Sequence, residues 1–169
     1  EHLNDKSIDA FIFSFHGLPE RHLLKLENTS CCNMVSECPQ ISAKNKFCYR
    51  AQCYESTRLI ASSMGLDRQS YTVSFQSRLG RIPWIQPYLS DVLPVIKKQG
   101  ANRIAVASLS FVADCLETLE EIAIMTQEKW HSLGGEHLSL VPSLNADPEW
   151  VRALEKMITD HSQSSRIIN

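Results

Sequence analysis

The sequence predicts an α/β fold, in which a four-stranded parallel sheet is flanked by helices in three layers. Apolar runs alternate with segments of helical periodicity along its 169 residues, and such alternation indicates parallel βαβ units. The hydrophobic and charged fractions, 43% and 21%, are ordinary for one globular domain. A formal net charge of −2 argues against a nucleic-acid-binding protein, which is typically basic.

Four segments have the composition of buried strands. An apolar, aromatic run over residues 9–15 ends at His16, and residues 70–75 are rich in β-branched and aromatic side chains. Residues 103–108 form a continuous apolar run, which is typical of a parallel strand buried on both faces. A short fourth strand is predicted at residues 137–141.

Helices are predicted between and after these strands. Their ranges are Tyr49–Met64, Tyr88–Gln99 and Asp114–Ser132, followed by a last helix that begins at Asp147-Pro148. Gly65 is a stop signal for the first helix, whereas Pro94 lacks the N–H that an interior position of the second requires. Asp147 can cap the last helix, and proline suits its first turn.

Parallel α/β sheets bind ligands beyond the carboxyl ends of their strands. That rule brings three segments to one edge: Ser14–Pro19, Ser77–Trp84 and Ser110–Glu117. His16 could take up a proton near neutral pH or ligate a metal. The alternative is a histidine that is simply hydrogen-bonded within a turn.

Carboxylates follow the third strand. Asp114 and Glu117 have the spacing of a capping box, with Asp114 as the N-cap. Glu121 lies one helical turn further on, on the same face. Two stacked carboxylates that face His16 could hold a divalent cation or relay protons.

The loop after the second strand contains Ser77, Arg78 and Trp84. The planar fork of arginine suits carboxylate recognition, and a tryptophan near prolines could form one wall of an apolar slot. The alternative is an exposed arginine and a tryptophan of the core.

Five of the six cysteines lie within 23 residues. A chain of this size can build a core without disulfides, so clustered thiols favour a metal or a cluster. Four thiols share one loop: Cys31, Cys32, Cys38 and Cys48. Their spacing does not match a C-x2-C zinc pair and does not select the metal. Free thiols or a single disulfide are the alternatives, and Cys53 and Cys115 fall in predicted helices.

Three segments together resemble ferrochelatase, the enzyme that inserts ferrous iron into a porphyrin. Residues 13–20, Phe-Ser-Phe-His-Gly-Leu-Pro-Glu, are similar to the family's Phe-Ser-x-His-[Gly/Ser]-[Leu/Ile]-Pro motif. Residues 75–84 resemble its Gln-Ser-[Arg/Lys]…Pro-Trp segment, and residues 111–121 resemble its Phe-x-[Ala/Ser]-Asp-[His/Cys]-[Leu/Ile]-Glu motif. The resemblance extends from about Ala10 to the last helix.

The resemblance implies a Rossmann-like, chelatase-type lobe. Members of the family have two such lobes with a porphyrin cleft between them. Residues 1–169 match the C-terminal lobe, with a cysteine-rich insertion at residues 20–48, and we expect the N-terminal lobe to be missing from this sequence. The lobe alone is then expected to be inactive, and the implied location is the cytoplasm of a bacterium.

Residue roles follow from the matched motifs. The resemblance implies that His16 and Glu117 are catalytic and that His16, Glu117 and Glu121 contact the metal. It also implies a set of porphyrin-binding residues: Ser77, Arg78, Trp84 and Phe111. Cys115 stands where many members have histidine. Fe²⁺ and a porphyrin, protoporphyrin IX or coproporphyrin III, are the implied substrates.

Many ferrochelatases carry a [2Fe–2S] cluster. The insertion resembles an internal version of such a site, with Cys31, Cys32, Cys38 and Cys48 as ligands and Cys53 as a substitute. Two alternatives stay open: a non-catalytic module that binds tetrapyrrole or metal or senses iron through a cluster, and a chelatase for another metal. Peripheral contact with a membrane is also open.

Overall fold

The computed structural model describes residues 8–25 and 37–165. Four strands lie within these residues: β1 (Ala10–His16), β2 (Tyr71–Gln76), β3 (Arg103–Ser108) and β4 (His137–Val141). The α-helices are α1 (Glu20–Leu23), α2 (Tyr49–Ser63), α3 (Leu89–Lys98), α4 (Leu116–Leu119), α5 (Gln127–Ser132) and α6 (Pro148–Ser165). A 3-10 turn at Arg68–Ser70 precedes β2, and a π-helical segment at Glu121–Thr126 joins α4 to α5.

The strands form one sheet in the order β2-β1-β3-β4, and every pair is parallel. The predicted fold class is therefore confirmed, as is each of the four strands. In the register, His16 lies opposite Gln76 of β2, and Ser14 lies opposite Ser108 of β3. The carboxyl ends of β1, β2 and β3 consequently meet at one edge of the sheet.

Two apolar clusters cover the two faces of the sheet. One packs α3 and the helix after β3 against the sheet, with Ile12, Leu93, Ile104, Ile122 and Trp130 at its centre. The other packs α2 against the opposite face, with Phe13, Phe15, Tyr54, Val73 and Phe75. This arrangement gives the three layers that the sequence predicts.

Trp130 explains one glycine of the turn before β4. The ring of Trp130 is fully buried, and its Nε1 donates a hydrogen bond to the Asn102 carbonyl at 3.1 Å. A Cβ atom at Gly135 would lie 2.2 Å from that ring. Only glycine therefore fits at this position.

The helix predicted at Asp114–Ser132 differs in two respects. It begins at Leu116, with Cys115 as its N-cap, so the predicted capping box of Asp114 and Glu117 is wrong. Thr118 occupies the third helical position instead, and its Oγ1 accepts a hydrogen bond from the Cys115 N–H at 2.9 Å. The second difference is the π-helical segment, where Thr126 Oγ1 donates to the Glu121 carbonyl at 2.7 Å.

The other predicted helices agree closely with the observed ones, whereas the short α1 was not predicted. Residues on both sides of Pro94 stay helical in α3. Asp147 Oδ1 accepts hydrogen bonds from the N–H groups of Glu149 at 2.8 Å and Trp150 at 3.2 Å, which confirms the predicted start of α6. Within the described residues, no helix combines the length and the apolar character that crossing a membrane requires.

Candidate active site

The carboxyl ends of β1 and β2 approach each other closely next to His16. The Gly17 N–H donates to the Gln76 carbonyl at 2.8 Å. A Cβ atom at Gly17 would lie 2.9 Å from that carbonyl oxygen and 3.1 Å from the Trp84 ring. A Cβ atom after His16 would therefore make the end of β1 shift away from β2 and Trp84, which favours glycine at this position.

The imidazole of His16 has a defined tautomer in this arrangement. Its Nδ1 lies 2.6 Å from the Gly17 carbonyl oxygen. A carbonyl only accepts, so Nδ1 carries the proton and the neutral ring keeps an unprotonated Nε2. The rings of Trp84 and Phe111 flank the imidazole, with centroids 6.3 Å and 6.0 Å away. The structure thus brings together three residues predicted from separate loops.

Glu117 lies in the first turn of α4 and is partly exposed. A hydrogen bond from the Cys115 side chain, helped by a backbone hydrogen bond and by the nearby His16, lowers the pKa of Glu117. Cys115, the residue that replaces histidine in the family motif, therefore favours the ionised form of Glu117. The carboxylate is close enough to His16 for the two groups to interact electrostatically.

Glu121 is held by donors from the end of β2. The Ser77 N–H donates to Oε1 at 2.7 Å, and the Ser77 hydroxyl donates to Oε2 at 2.6 Å. The Gln76 amide adds a longer contact to Oε2 at 3.4 Å. Ser77 has a φ of 64°, in the left-handed region, and this backbone conformation directs both of its donors to one carboxylate.

Gln76 links both carboxylate positions to the sheet. Its buried side chain donates from Nε2 to the Glu117 carbonyl at 2.8 Å, and its Oε1 accepts from the Ser108 hydroxyl at 3.0 Å. The amide is therefore satisfied on both sides, as a buried polar group should be. Sequence reasoning missed this role, although Gln76 is part of the segment that resembles Gln-Ser-[Arg/Lys]…Pro-Trp.

Asp114 joins the loop before α4 to the loop after β4. Its Oδ2 accepts from the Asn145 amide at 2.7 Å, and its own N–H donates to Asn145 Oδ1 at 2.9 Å. The Asn145 hydrogen bond is the main reason that the pKa of Asp114 is lowered. Asn145 has a φ of 49°, a conformation that asparagine tolerates better than most residues. No local pattern in the sequence indicates this pair.

Arg78 and Trp84 lie at the outer side of the site. Arg78 is exposed, and its guanidinium stacks over the Tyr88 ring at 4.5 Å. Trp84 is half-buried, and its Nε1 donates to the Leu79 carbonyl at 3.0 Å. The structure therefore places Trp84 beside His16, and Arg78 next to Ser77, whose two donors hold Glu121.

The cysteine site is only partly within the described residues. Cys31 and Cys32 lie outside them. Cys38 is buried, and its Sγ accepts a hydrogen bond from Arg50 Nη1 at 3.0 Å, while burial raises its pKa. Cys48 is half-buried and is the N-cap of α2. Burial raises the pKa of Cys53 to about 12.

In residues 8–25 and 37–165, no three His, Cys, Asp or Glu side chains lie close enough together to hold a metal ion. The metal-contact set of His16, Glu117 and Glu121 stays a prediction. Two further residues that sequence reasoning missed, Ser110 and Tyr49, contact the backbone of His16. The sequence indicates Tyr49 only as the predicted start of a helix.

Comparison with known proteins gives one consistent family. The family model described as ferrochelatase matches residues 1–162. A ferrochelatase of Coxiella burnetii (strain Dugway 5J108-111) is 52% identical over 158 residues, which are 93% of this chain and 45% of the relative. A ferrochelatase of Legionella pneumophila (strain Lens) is 45% identical over 149 residues, which are 88% of this chain and 44% of the relative. The chain thus spans less than half the length of these relatives.

A solved structure shares the fold. It is that of a protein named for cobalamin (vitamin B12) biosynthesis, CbiX, from Marinobacter aquaeolei VT8. The match has a TM-score of 0.52 and 13% identity, and it covers 92% of this chain and 98% of the other. At that identity the likeness shows the architecture alone.

Proposed function

The chain belongs to the ferrochelatase family, and we propose that the protein containing it inserts ferrous iron into a porphyrin, protoporphyrin IX or coproporphyrin III, to make haem. The observation that carries this proposal is the pairing of His16 with Glu117, next to the rings of Trp84 and Phe111. A flat, apolar macrocycle with exchangeable N–H protons matches such a combination.

Metallation removes two pyrrole protons while Fe²⁺ loses its bound waters. His16 supplies the base, because Nδ1 holds its proton against the Gly17 carbonyl and leaves Nε2 free. Glu117 and Glu121 supply oxygen atoms for the incoming Fe²⁺ or for the departing protons. The two assignments can be exchanged, since either face of the macrocycle could receive the iron.

The porphyrin-binding roles rest on the same geometry. Trp84 and Phe111 offer aromatic surface close to His16. Ser77 acts mainly by holding Glu121. Arg78 is exposed and stacked on Tyr88, a position from which its fork can bind a propionate carboxylate of the porphyrin.

A second lobe is proposed to complete the site. The 18-residue helix α6 has an exposed apolar stripe of Val151, Leu154, Met157 and Ile158, and such a stripe normally packs against a partner. The chain also spans 45% of the Coxiella relative. We infer that residues 1–169 form the C-terminal lobe, with the insertion at residues 20–48, and that this lobe alone is inactive.

A [2Fe–2S] cluster is proposed for the insertion, held by Cys31, Cys32, Cys38 and Cys48. Two observations support it. Cys38 Sγ already accepts a hydrogen bond from the buried Arg50 guanidinium, which would offset thiolate charge. The four described cysteines are free thiols. The cluster would have a structural or regulatory role, because none of its proposed ligands is among the residues of the proposed reaction centre.

Location in the bacterial cytoplasm is part of the same proposal. The relatives come from Coxiella and Legionella, and unpaired cysteines are typical of reducing compartments. Peripheral contact of the complete enzyme with a membrane would fit a substrate as apolar as a porphyrin.

The decisive experiment measures iron insertion by the full-length protein under anaerobic conditions. Loss of the porphyrin spectrum and gain of the haem spectrum report turnover. His16→Ala is expected to lower kcat at least about a hundredfold, which is the usual contribution of a general base. His22→Ala, an exposed histidine of α1, is the matched control. Full turnover by His16→Ala, or porphyrin binding without insertion by the wild type, would contradict the proposal.

A further inference from the structure

Three hydrogen bonds form a closed ring around the backbone of His16. The His16 N–H donates to Ser110 Oγ at 2.9 Å, and the Tyr49 hydroxyl donates to the His16 carbonyl at 2.8 Å. The two hydroxyl oxygens are 3.0 Å apart. Because Tyr49 gives its only proton to the carbonyl, Ser110 must be the donor in the third bond. Every hydroxyl proton in the ring then has one acceptor.

The ring replaces strand pairing at the point where pairing stops. The β1–β3 ladder ends at Ser14 and Ser108, two residues before His16. The Ser110 side chain then accepts the His16 N–H that a continuing β3 would have bound. Tyr49 reaches the other side of the same residue from the first position of α2. Three separate segments thus meet at the main chain of His16.

Both peptide groups that flank the imidazole are restrained as a result. The peptide before His16 is bound through its N–H to Ser110. The peptide after it is bound through its carbonyl to Tyr49 and through the Gly17 N–H to Gln76. The short contact between Nδ1 and the Gly17 carbonyl depends on this backbone orientation.

The phenol stays a donor at working pH. Burial raises the pKa of Tyr49 to about 12, although the Ser110 hydrogen bond opposes the shift. The hydroxyl therefore remains protonated wherever the imidazole can act as a base. Tyr49 makes no ring contact with the imidazole in the described structure and acts through the backbone.

We propose that Tyr49 and Ser110 are positioning residues for His16, acting as one unit that orients its imidazole for proton removal. The kinetic part of this proposal rests on the proposed function, whereas the ring itself can be tested without turnover. The unit links the start of α2, directly after Cys48, to the reaction centre.

The kinetic test uses the full-length protein with Tyr49→Phe, Ser110→Ala and the double variant. Each single change should lower kcat about tenfold, as removal of such supporting contacts commonly does, and leave the porphyrin KM within about twofold. The double variant should lose no more than the stronger single variant, because the ring is already broken. Independent effects that multiply to about a hundredfold would overturn the single-unit assignment.

Two variants separate positioning from general destabilisation. Ser110→Thr keeps the hydroxyl and should retain kcat. Tyr54→Phe removes another buried hydroxyl from the same helix, one that contacts Arg50, and should also leave kcat unchanged. A loss of kcat in Tyr54→Phe equal to that in Tyr49→Phe would overturn the positioning role.

Amide hydrogen exchange at His16 gives a readout that does not require iron insertion. Exchange should be slow in the wild type and in Ser110→Thr, and at least about tenfold faster in Ser110→Ala. Unchanged protection in Ser110→Ala would overturn the ring even if the enzyme is active. If the wild type inserts no iron, the proposed function is contradicted. The exchange data then still test whether the hydrogen-bond ring around His16 exists.

Discussion

His16 is held through its own main chain, whereas Glu117 and Glu121 lie on helical segments that are held by groups at the end of β2. On the histidine side, Ser110 and Tyr49 bind the backbone N–H and carbonyl of His16. On the carboxylate side, Gln76 and Ser77 supply the donors. The end of β1 therefore positions His16, and the end of β2 holds the helix that carries Glu117 and Glu121.

The difference is in the atoms that are held. Hydroxyl groups bind the main chain of His16, so they restrain the residue whatever its ring contacts. On the other side, a backbone N–H, a hydroxyl and an amide bind the carboxylate oxygens of Glu121 itself. Substitutions on the two sides should therefore have distinguishable effects on activity and on stability.

The largest effect on the carboxylate side is expected from Glu117→Gln in the full-length protein. Removing the charge opposite His16 should lower kcat about a hundredfold, comparable to loss of the base. The thermal midpoint should change little, because Glu117 is partly exposed. Steady-state insertion kinetics with Glu120→Gln, an exposed neighbour, as the control would measure the effect. Equal activity of the two variants would remove Glu117 from the mechanism.

An intermediate effect is expected from Gln76→Leu. The substitution leaves the Ser108 hydroxyl and the Glu117 carbonyl without their partner, and such buried losses cost about 1–3 kcal/mol. Activity should also fall, because Glu121 loses one of its contacts. Denaturant unfolding and kinetics would be compared with Gln69→Leu, an exposed glutamine. An unchanged free energy of unfolding in Gln76→Leu would mean that the Gln76 amide does not stabilise the carboxylate side of the site.

The smallest effect is the acid sensitivity contributed by Asp114. Its pKa is lowered, chiefly by the Asn145 amide. The folded pKa therefore lies below the unfolded value of about 3.9, so the ionised group stabilises the fold above that value. This stability is lost as pH falls through the folded pKa. Asp114→Asn should lower the thermal midpoint near pH 7 and flatten its decline below about pH 5.

A double variant that swaps the two residues provides the control for this prediction. Asp114→Asn combined with Asn145→Asp again places one amide and one carboxylate in contact, and it should restore the steeper decline. Thermal midpoints measured from pH 3 to pH 7 would distinguish the three proteins. The same pH dependence in all three proteins would show that the contact between Asp114 and Asn145 does not contribute to stability.

Most of the fold could be predicted because its signals are local. Strand residues 103–108 and 137–141 agree with the observed bounds, since apolar runs between turn residues report burial directly. The cap at Asp147 was also predictable, because its acceptors and donors lie within three residues. The capping box at Asp114 failed because a stronger partner, Asn145, lies 31 residues away.

For the candidate site, sequence motifs identified residue types but not their supports. His16, Trp84 and Phe111 were placed at one edge by strand order alone, and their rings do lie together. Nothing in the sequence indicates that Ser110 and Tyr49, 61 residues apart, share a hydrogen bond. The π-helical segment was equally hidden, because it depends on one extra residue within a continuous helical pattern.

The sequence by itself therefore determined the parallel sheet, the edge at which the site lies and the family to which the chain belongs. Periodicity and strand order suffice for the sheet and its edge, since they depend on burial and on the handedness of βαβ units, whereas three motifs indicate the family. Tertiary structure alone decided the tautomer of His16, the hydrogen bonds from Ser77 to Glu121 and the partner of Asp114. The bonds of Glu121 and Asp114 join distant segments, and the contact of His16 with its neighbour Gly17 depends on a backbone that distant segments hold. Each depends on a separation of about 3 Å that no local pattern encodes.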